Sequence, residues 1–331
     1  MRVLLAIIAA ILGSLIESPL AAAQSTTTGP TQSYPSKPVR IINPFAAGGG
    51  MDVLLRPIAQ KLSESFQQPF IVDNRPGANG MIGSELVAKA APDGYTLLGG
   101  TTGALPMNAA VYSKLPYDPV KDFAPISNFA ESAFILSVHP SVPAENVMEL
   151  VALAKSRPGQ LTYASFGVAS SSHLTAELFS MLAGIKLVHV PYKGSAPAVA
   201  DLVAGQVMMM FDSMQSQMPQ LRAHRLRALG LAAPKRSPAA PDVPTLAEAG
   251  LPGVEGGSWY GLLAPAGTPR AIIDKLHAEI LRALAAADIR ERLDSVGTEP
   301  VGNTPEEFAL QIRNDIVKWG RVVRAANIRA E

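Results

Sequence analysis
The chain has 331 residues, enough, once a leader is removed, for two lobes of ordinary size that each bury a core. With 28 basic against 27 acidic residues and a formal charge of +1, it carries no electrostatic footprint for nucleic acid; its only dense basic runs are Lys235-Arg236 and Arg222 to Arg227. It contains no cysteine, which excludes disulfides, thiol chemistry and cysteine-based metal sites.

Met1 to Ala23 reads as a signal peptide: Arg2, an apolar run from Val3 to Ile16, then Ala21-Ala22-Ala23. The run is shorter than the ~20 residues that a membrane span requires, so export with cleavage after Ala23 into the periplasm is expected. Gln24 to Ser36, polar and rich in Thr, Ser, Gly and Pro, reads as a flexible tether, with the fold opening near Pro38.

From there apolar runs alternate with helical patterns. Val39 to Ile42 is expected as a strand, Asp52 to Phe66 as a helix, Phe70 to Asn74 as a strand, Gly80 to Ala90 as a helix and Thr96 to Gly99 as a strand. This βαβαβ order predicts a parallel sheet flanked by helices. A second round places strands at Ile126 to Phe129, Ile135 to Val138, Leu161 to Ala164, Leu187 to Val190, Val207 to Phe211 and Leu226 to Ala232. Helices fall at Asn146 to Ser156, Ser172 to Ala183 and Ala196 to Val203. Pro234 to Pro252 reads as a connector, followed by a strand at Trp259 to Ala264 and amphipathic helices at Arg270 to Ala286 and Pro305 to Ala326. A two-lobed α/β protein results, one lobe built from 37–129 plus 253–331 and the other from 130–252.

Ligands of open parallel sheets bind beyond the carboxyl ends of strands, where helix N-termini present unpaired N–H groups. Three loops have that position. Pro44 to Asp52, with three consecutive glycines, lets the backbone approach an anion closely, with Gly49 in the turn and Asp52 as an alternative N-cap. Ser165 to His173 clusters hydroxyls at a helix start, where one serine suffices as a cap. Thr101-Thr102-Gly103 is the third. Neither G-x-x-x-x-G-K-[ST] nor a complete G-x-G-x-x-G is present at the first loop, so no nucleotide cofactor is expected. The hydrolase elbow G-x-S-x-G is missing too, which leaves a secreted α/β hydrolase as a weak alternative. The five histidines, at 139, 173, 189, 224 and 277, lack ligand spacing, and no metal is expected.

Several segments in order resemble one family: Pro44 to Asp52 with Arg56, Asn74-Arg75-Pro76-Gly77-Ala78-Asn79-Gly80, Ala91-Pro92-Asp93-Gly94-Tyr95, Pro116-Tyr117-Asp118-Pro119, Val190-Pro191-Tyr192-Lys193-Gly194 and Trp259-Tyr260-Gly261 through Gly267-Thr268-Pro269. They are similar to the Bug family, extracytoplasmic receptors of tripartite tricarboxylate transporters. The resemblance implies a Venus-flytrap fold of two α/β lobes that closes on a small carboxylate, an amino acid, di- or tricarboxylate or aromatic acid. It also implies delivery to a membrane permease, no catalysis and no cofactor. We take the receptor to act as a monomer; a sensor feeding a signalling partner is the alternative. The matching ligand positions are Phe45, Gly49 and Asp52, then Thr101 and Thr102, and from the other lobe Ser165, Ser171, Ser172, Tyr192, Lys193 and Asp212. If the Ser172 hydroxyl contacts the ligand, Ser172→Ala is expected to weaken binding by about 1 kcal/mol. The serine loop departs from the glycine-rich form usual in the family at Phe166 and at Val168 to Ser170, which bears on pocket size.

Overall fold
The computed structural model describes residues 34–328. The expected leader and the tether up to Ser33 lie outside the described residues. Packing already begins at Tyr34, ahead of Pro38. Its hydroxyl donates to the Gly94 carbonyl at 2.8 Å, and its ring meets Tyr95 edge-on with centroids 5.3 Å apart. An aromatic ring with a satisfied hydroxyl is enough to dock a segment whose composition otherwise reads as disordered.

Strand β1 (Val39–Asn43) leads to helix α1 (Gly50–Phe66), β2 (Phe70–Asn74), α2 (Met81–Ala88) and β3 (Thr96–Thr101). In α1 the residues Met51, Leu54, Leu55, Ile58 and Leu62 recur at three- and four-residue spacing, and all are buried. β1 pairs in parallel with β2 on one side and β3 on the other, and Val39, Ile41 and Ile42 are fully buried, as a central strand requires. A single π-type turn at Gly103–Met107 then leads into the short helix α3 (Asn108–Val111).

The next element corrects the sequence reading. The two strands expected at Ile126 to Phe129 and Ile135 to Val138 are one continuous strand, β4 (Phe123–Val138). The intervening Ala130 to Ala133 contains neither Gly nor Pro to break it. β4 pairs antiparallel with β9 (Gly257–Pro265) as far as Ala133↔Gly257, then with β7 (Met209–Ser213) from Phe134↔Ser213 onward, and with β8 (Arg227–Leu231). Register shifts between Pro125 and Ser127 and between Asn128 and Ala130 mark where it bends along β9. One strand thus belongs successively to two sets of partners.

Helix α4 (Val147–Ser156), capped by the Asn146 side chain on the Glu149 N–H, precedes β5 (Thr162–Ser165), α5 (Ser171–Ala183), β6 (Val188–Pro191) and α6 (Ser195–Val203). β5, β6 and β7 are mutually parallel, with β5 central. α7 (Met214–Arg222) follows β7 directly and was invisible in sequence. Its run Gln215-Ser216-Gln217 with Pro219 carries too few apolar residues to show a 3.6-residue period.

The carboxyl-terminal part adds α8 (Arg270–Ala285), α9 (Ala287–Ser295), the two-residue β10 (Glu299–Pro300) on β4, and α10 (Pro305–Ala325). Ala286 turns extended and starts α9, an element absent from the sequence reading, whereas α10 opens on a full capping box between Thr304 and Glu307. The described strands form one curled sheet in the order β2-β1-β3-β9-β4-β7-β5-β6, with β8 and β10 also on β4. Two main cores flank it. Leu54, Leu55, Phe129, Leu262 and Ile280 belong to one, and Phe134, Leu136, Tyr163, Phe179 and Phe211 to the other.

Candidate functional site
Because β1 and β3 are parallel, as are β5, β6 and β7, each set sends its carboxyl ends into helices on one edge. The two edges meet. A Cβ placed on Gly50, the first residue of α1, would stand 2.6 Å from the Gln215 amide nitrogen in the first turn of α7 and 3.2 Å from the Tyr260 hydroxyl. Gln215 donates to that hydroxyl at 3.0 Å. A second contact between the two parts packs Ala169, Leu174 and Leu178, on and before α5, with Met107 and Val111 and with Trp319 and Val322 of α10.

The caps of these helices are informative. Gly49 before α1, Gly194 before α6 and Ser213 before α7 make no side-chain cap hydrogen bond. The first-turn N–H groups of three helices are therefore left for another partner, and the partial positive charge there suits an anion. α5 is capped by Ser170, which accepts from the His173 N–H; its Ser171 and Ser172 N–H groups have no partner inside an α-helix.

The side chains expected to touch ligand are mostly engaged within the protein. Asp52 is 5 % exposed and accepts from Gly48 N–H at 3.0 Å, Asn43 at 3.2 Å, Asn74 at 2.9 Å and both nitrogens of the Arg56 fork at 2.8 and 2.9 Å. Burial pushes its carboxyl up, but the hydrogen bonds from Arg56, Gly48 and Asn74 outweigh that and hold it well below the usual carboxylate range. It fastens the Gly48 turn onto α1. Phe45 is held on both sides, its N–H on the Asn43 side chain and its carbonyl under Asn74, and its half-buried ring reaches Gly80. Gly49 is exposed.

Thr101 accepts from the Ala104 N–H at 3.1 Å, capping the π-type turn, and Thr102 accepts from the Trp259 N–H at 3.0 Å, tying β3 to β9. Ser172 donates to the Phe211 carbonyl in the middle of β7. Ser171 is buried, and no hydrogen bond of its hydroxyl is formed among the described residues. Tyr192 donates to Asp201 at 2.7 Å, and burial, then that hydrogen bond, push its phenol up to about 12. Lys193 is exposed and forms no ion pair among the described residues. Asp212 is 2 % exposed at the end of β7 and accepts from Ser195, the first residue of α6, and from the Ser213 N–H.

Behind the serine loop stands a cluster the sequence did not reveal. His173 and His189 stack with centroids 3.9 Å apart, and the Tyr163 ring lies 4.9 Å from His189 and 6.3 Å from His173. His173 Nδ1 accepts from the Ala169 N–H at 3.1 Å, and Ser165 Oγ bonds His189 Nε2 at 2.6 Å. Burial, with the neighbouring ring adding to it at His173, holds both imidazoles neutral and well below their ordinary pKa. The Ser165–His189 pair superficially matches a nucleophile with its base. Ser165 is, however, fully buried, and an imidazole so reluctant to protonate is a weak general base, so the pair braces the loop. Gln215, Tyr260 and Ser195 also escaped the sequence reading. Its place just past the carboxyl end of the strand expected at Val207 to Phe211 was the available signal for Gln215.

The profile described as "Tripartite tricarboxylate transporter family receptor" matches residues 54–328. Protein BugT of Bordetella pertussis is 36 % identical over 293 residues, covering 88 % of this chain and 90 % of its own. The R. palustris protein Rpa4515, solved with adipate, is 38 % identical with a TM-score of 0.83, over 89 % of this chain and 99 % of that one. MatC from Rhodopseudomonas palustris, solved with bound malate, is 36 % identical with a TM-score of 0.80, over 88 % and 100 %. The chain therefore has the two-lobed α/β fold of periplasmic binding proteins, and it belongs to the tripartite tricarboxylate transporter receptor family, a family of solute receptors that includes the Bug proteins.

Proposed function
We propose that this chain is a periplasmic receptor that captures a small carboxylate between its lobes and presents it to the permease of a tripartite tricarboxylate transporter. The observation that carries this reading is the set of side-chain-uncapped helix starts at Gly49, Gly194 and Ser213: Gly50 of α1 meets Gln215 of α7 and Tyr260, and Ser195 at the start of α6 donates to Asp212 just ahead of α7. Backbone N–H groups and helix dipoles bind a carboxylate without a cationic side chain, which fits central contacts that, among the described residues, include no basic side chain. The two R. palustris relatives, one holding adipate and one malate, support a carboxylate as the ligand class. The permease follows from the family description, and the leader-like start at Met1 to Ala23 supports export.

Capture works by closure. We place the boundaries between the lobes at Ala133/Phe134 and Gly256/Gly257, where β4 exchanges β9 for β7, a few residues beyond the divisions at 129 and 252 expected from sequence. A ligand shifts the lobes toward the closed arrangement only by its better contacts there. The test is a thermal-shift screen of the chain from Gln24 onward against amino acids, di- and tricarboxylates and aromatic acids. A ligand at a hundred times its dissociation constant adds about 2.7 kcal/mol of stability. A saturable shift with one acid class is the expected result; no shift with any acid removes the proposal.

A further inference from the structure
Asp212 is the ionisable side chain at the meeting point of the lobes. Ser195, at the start of α6, donates to one of its oxygens, and the Ser213 N–H, before α7, donates to the other at 2.6 Å. Tyr260 is near enough for its phenol to be pushed up first by burial and then by the charge of Asp212. Tyr260 in turn holds Gln215, and both abut Gly50. Asp212 therefore lies where the first turns of α1, α6 and α7 come together, among the donors to which the proposed carboxylate binds.

Its own position is unfavourable as it stands. No Lys, Arg or His forms an ion pair with it among the described residues, and it is 2 % exposed. A carboxylate offers about four acceptor positions, and the donors on it among the described residues are those of Ser195 and Ser213. The Gln215 side-chain oxygen nearby is buried and has no donor among the described residues. An ionised, cation-free carboxylate costs stability and repels a second carboxylate brought beside it, unless the incoming molecule supplies a donor.

We propose that Asp212 is a specificity-determining residue, selecting carboxylates that carry a hydrogen-bond donor, an ammonium or hydroxyl group, on the carbon next to the carboxylate. This rests on carboxylate capture as proposed above. Burial pushes the Asp212 carboxyl up to about 6, against the hydrogen bonds from Ser195 and Ser213, so it is ionised at neutral pH and able to accept from such a donor.

Isothermal titration of the chain from Gln24 onward at neutral pH, with matched acids, tests this. The sets are propionate, lactate and alanine; succinate, malate and aspartate; glutarate, 2-hydroxyglutarate and glutamate; and phenylacetate, mandelate and phenylglycine. In whichever set binds, a donor-bearing member should bind about tenfold or more tightly than the plain acid. D212N should narrow that ratio from both sides, tightening the plain acid by removing repulsion and weakening the substituted one. A plain acid that binds the wild type as well as its substituted partners overturns the inference while leaving carboxylate capture standing, and so does a ratio unchanged in D212N. Silence from every set with a response to another acid in the wider screen overturns the inference alone, and silence in both removes carboxylate capture itself. The wild-type comparison decides the matter even if D212N fails to fold.

Discussion

Two buried aspartates show how much of this site is scaffold. Asp52 gathers five donor contacts, and its ionised form is favoured. Its folded pKa lies below the unfolded value, so its contribution is present above about pH 4 and is lost as pH falls through the folded pKa. D52A should cost about 2–3 kcal/mol near neutral pH, the Arg56 share being discounted because that side chain is half-exposed, and should weaken ligand binding by loosening the Gly48 turn. Urea unfolding and titration calorimetry check the two effects. Asp212 has the opposite sign. Its raised pKa makes the ionised form a penalty that is full above about pH 6 and disappears as pH falls toward about 4. Without ligand, D212N should therefore be more stable than wild type at pH 8, by on the order of 2–3 kcal/mol, with the difference gone near pH 4. Melting curves at the two pH values decide it. Ser172 supplies a third case: its hydroxyl is spent on the Phe211 carbonyl, so S172A should lower stability by about 1 kcal/mol, and any loss of affinity should follow from movement of α5.

At the scale of elements, the cap residues connect sequence to binding. Gly49 has φ −74° and ψ 170°, an extended conformation open to any residue, so conformational freedom is not what requires glycine there. Glycine leaves the α1 amides without a side-chain cap, and a Cβ there would press on the Ala46 carbonyl oxygen at 3.3 Å. G49D should cap the helix internally and place a negative charge at the proposed carboxylate site. Its melting temperature should hold or rise, consistent with a cap worth about 1 kcal/mol, while affinity falls at least tenfold. A parallel loss of stability and affinity would show instead that the loop had been distorted. Gly257, opposite Ala133 at the strand exchange, is constrained differently. A Cβ there would lie 2.4 Å from the Ser132 carbonyl oxygen and 3.2 Å from the Ala133 Cα, so G257A must separate the strands at the proposed hinge and should cost about 1–3 kcal/mol.

Across the whole molecule, the histidine stack and Asp212 act on the same pH range in opposite directions. Both imidazoles have folded pKa values below the unfolded 6.5, so the unfolded chain binds protons first, and stability is lost as pH falls below about 6.5. Two buried histidines outweigh one relieved aspartate, and melting temperature should fall between pH 6.5 and 4. The double variant H173Q/H189Q should flatten this acid limb while melting lower at pH 8 through lost packing. An unchanged slope would assign acid sensitivity to other groups. Protonation of His173 also removes the acceptor for the Ala169 N–H, so the loop between β5 and α5 should loosen before the cores do.

By itself the sequence determined the alternation of strands and helices, the parallel pairing and the loops at the strand ends, because hydrophobic period and turn residues are local properties. The Pro44 to Asp52 and Ser165 to His173 loops were legible for that reason. It could not determine that Ala130 to Ala133 would bridge two predicted strands into one, or that the polar Met214–Arg222 segment would be helical, since neighbouring elements stabilise both. Nor could it distinguish a hydroxyl aimed at a ligand from one bonded to the next strand. That distinction depends on contacts such as Ser172 to Phe211, Ser165 to His189 and Gln215 to Tyr260, between groups far apart in the chain that only the folded sheet brings within hydrogen-bonding reach.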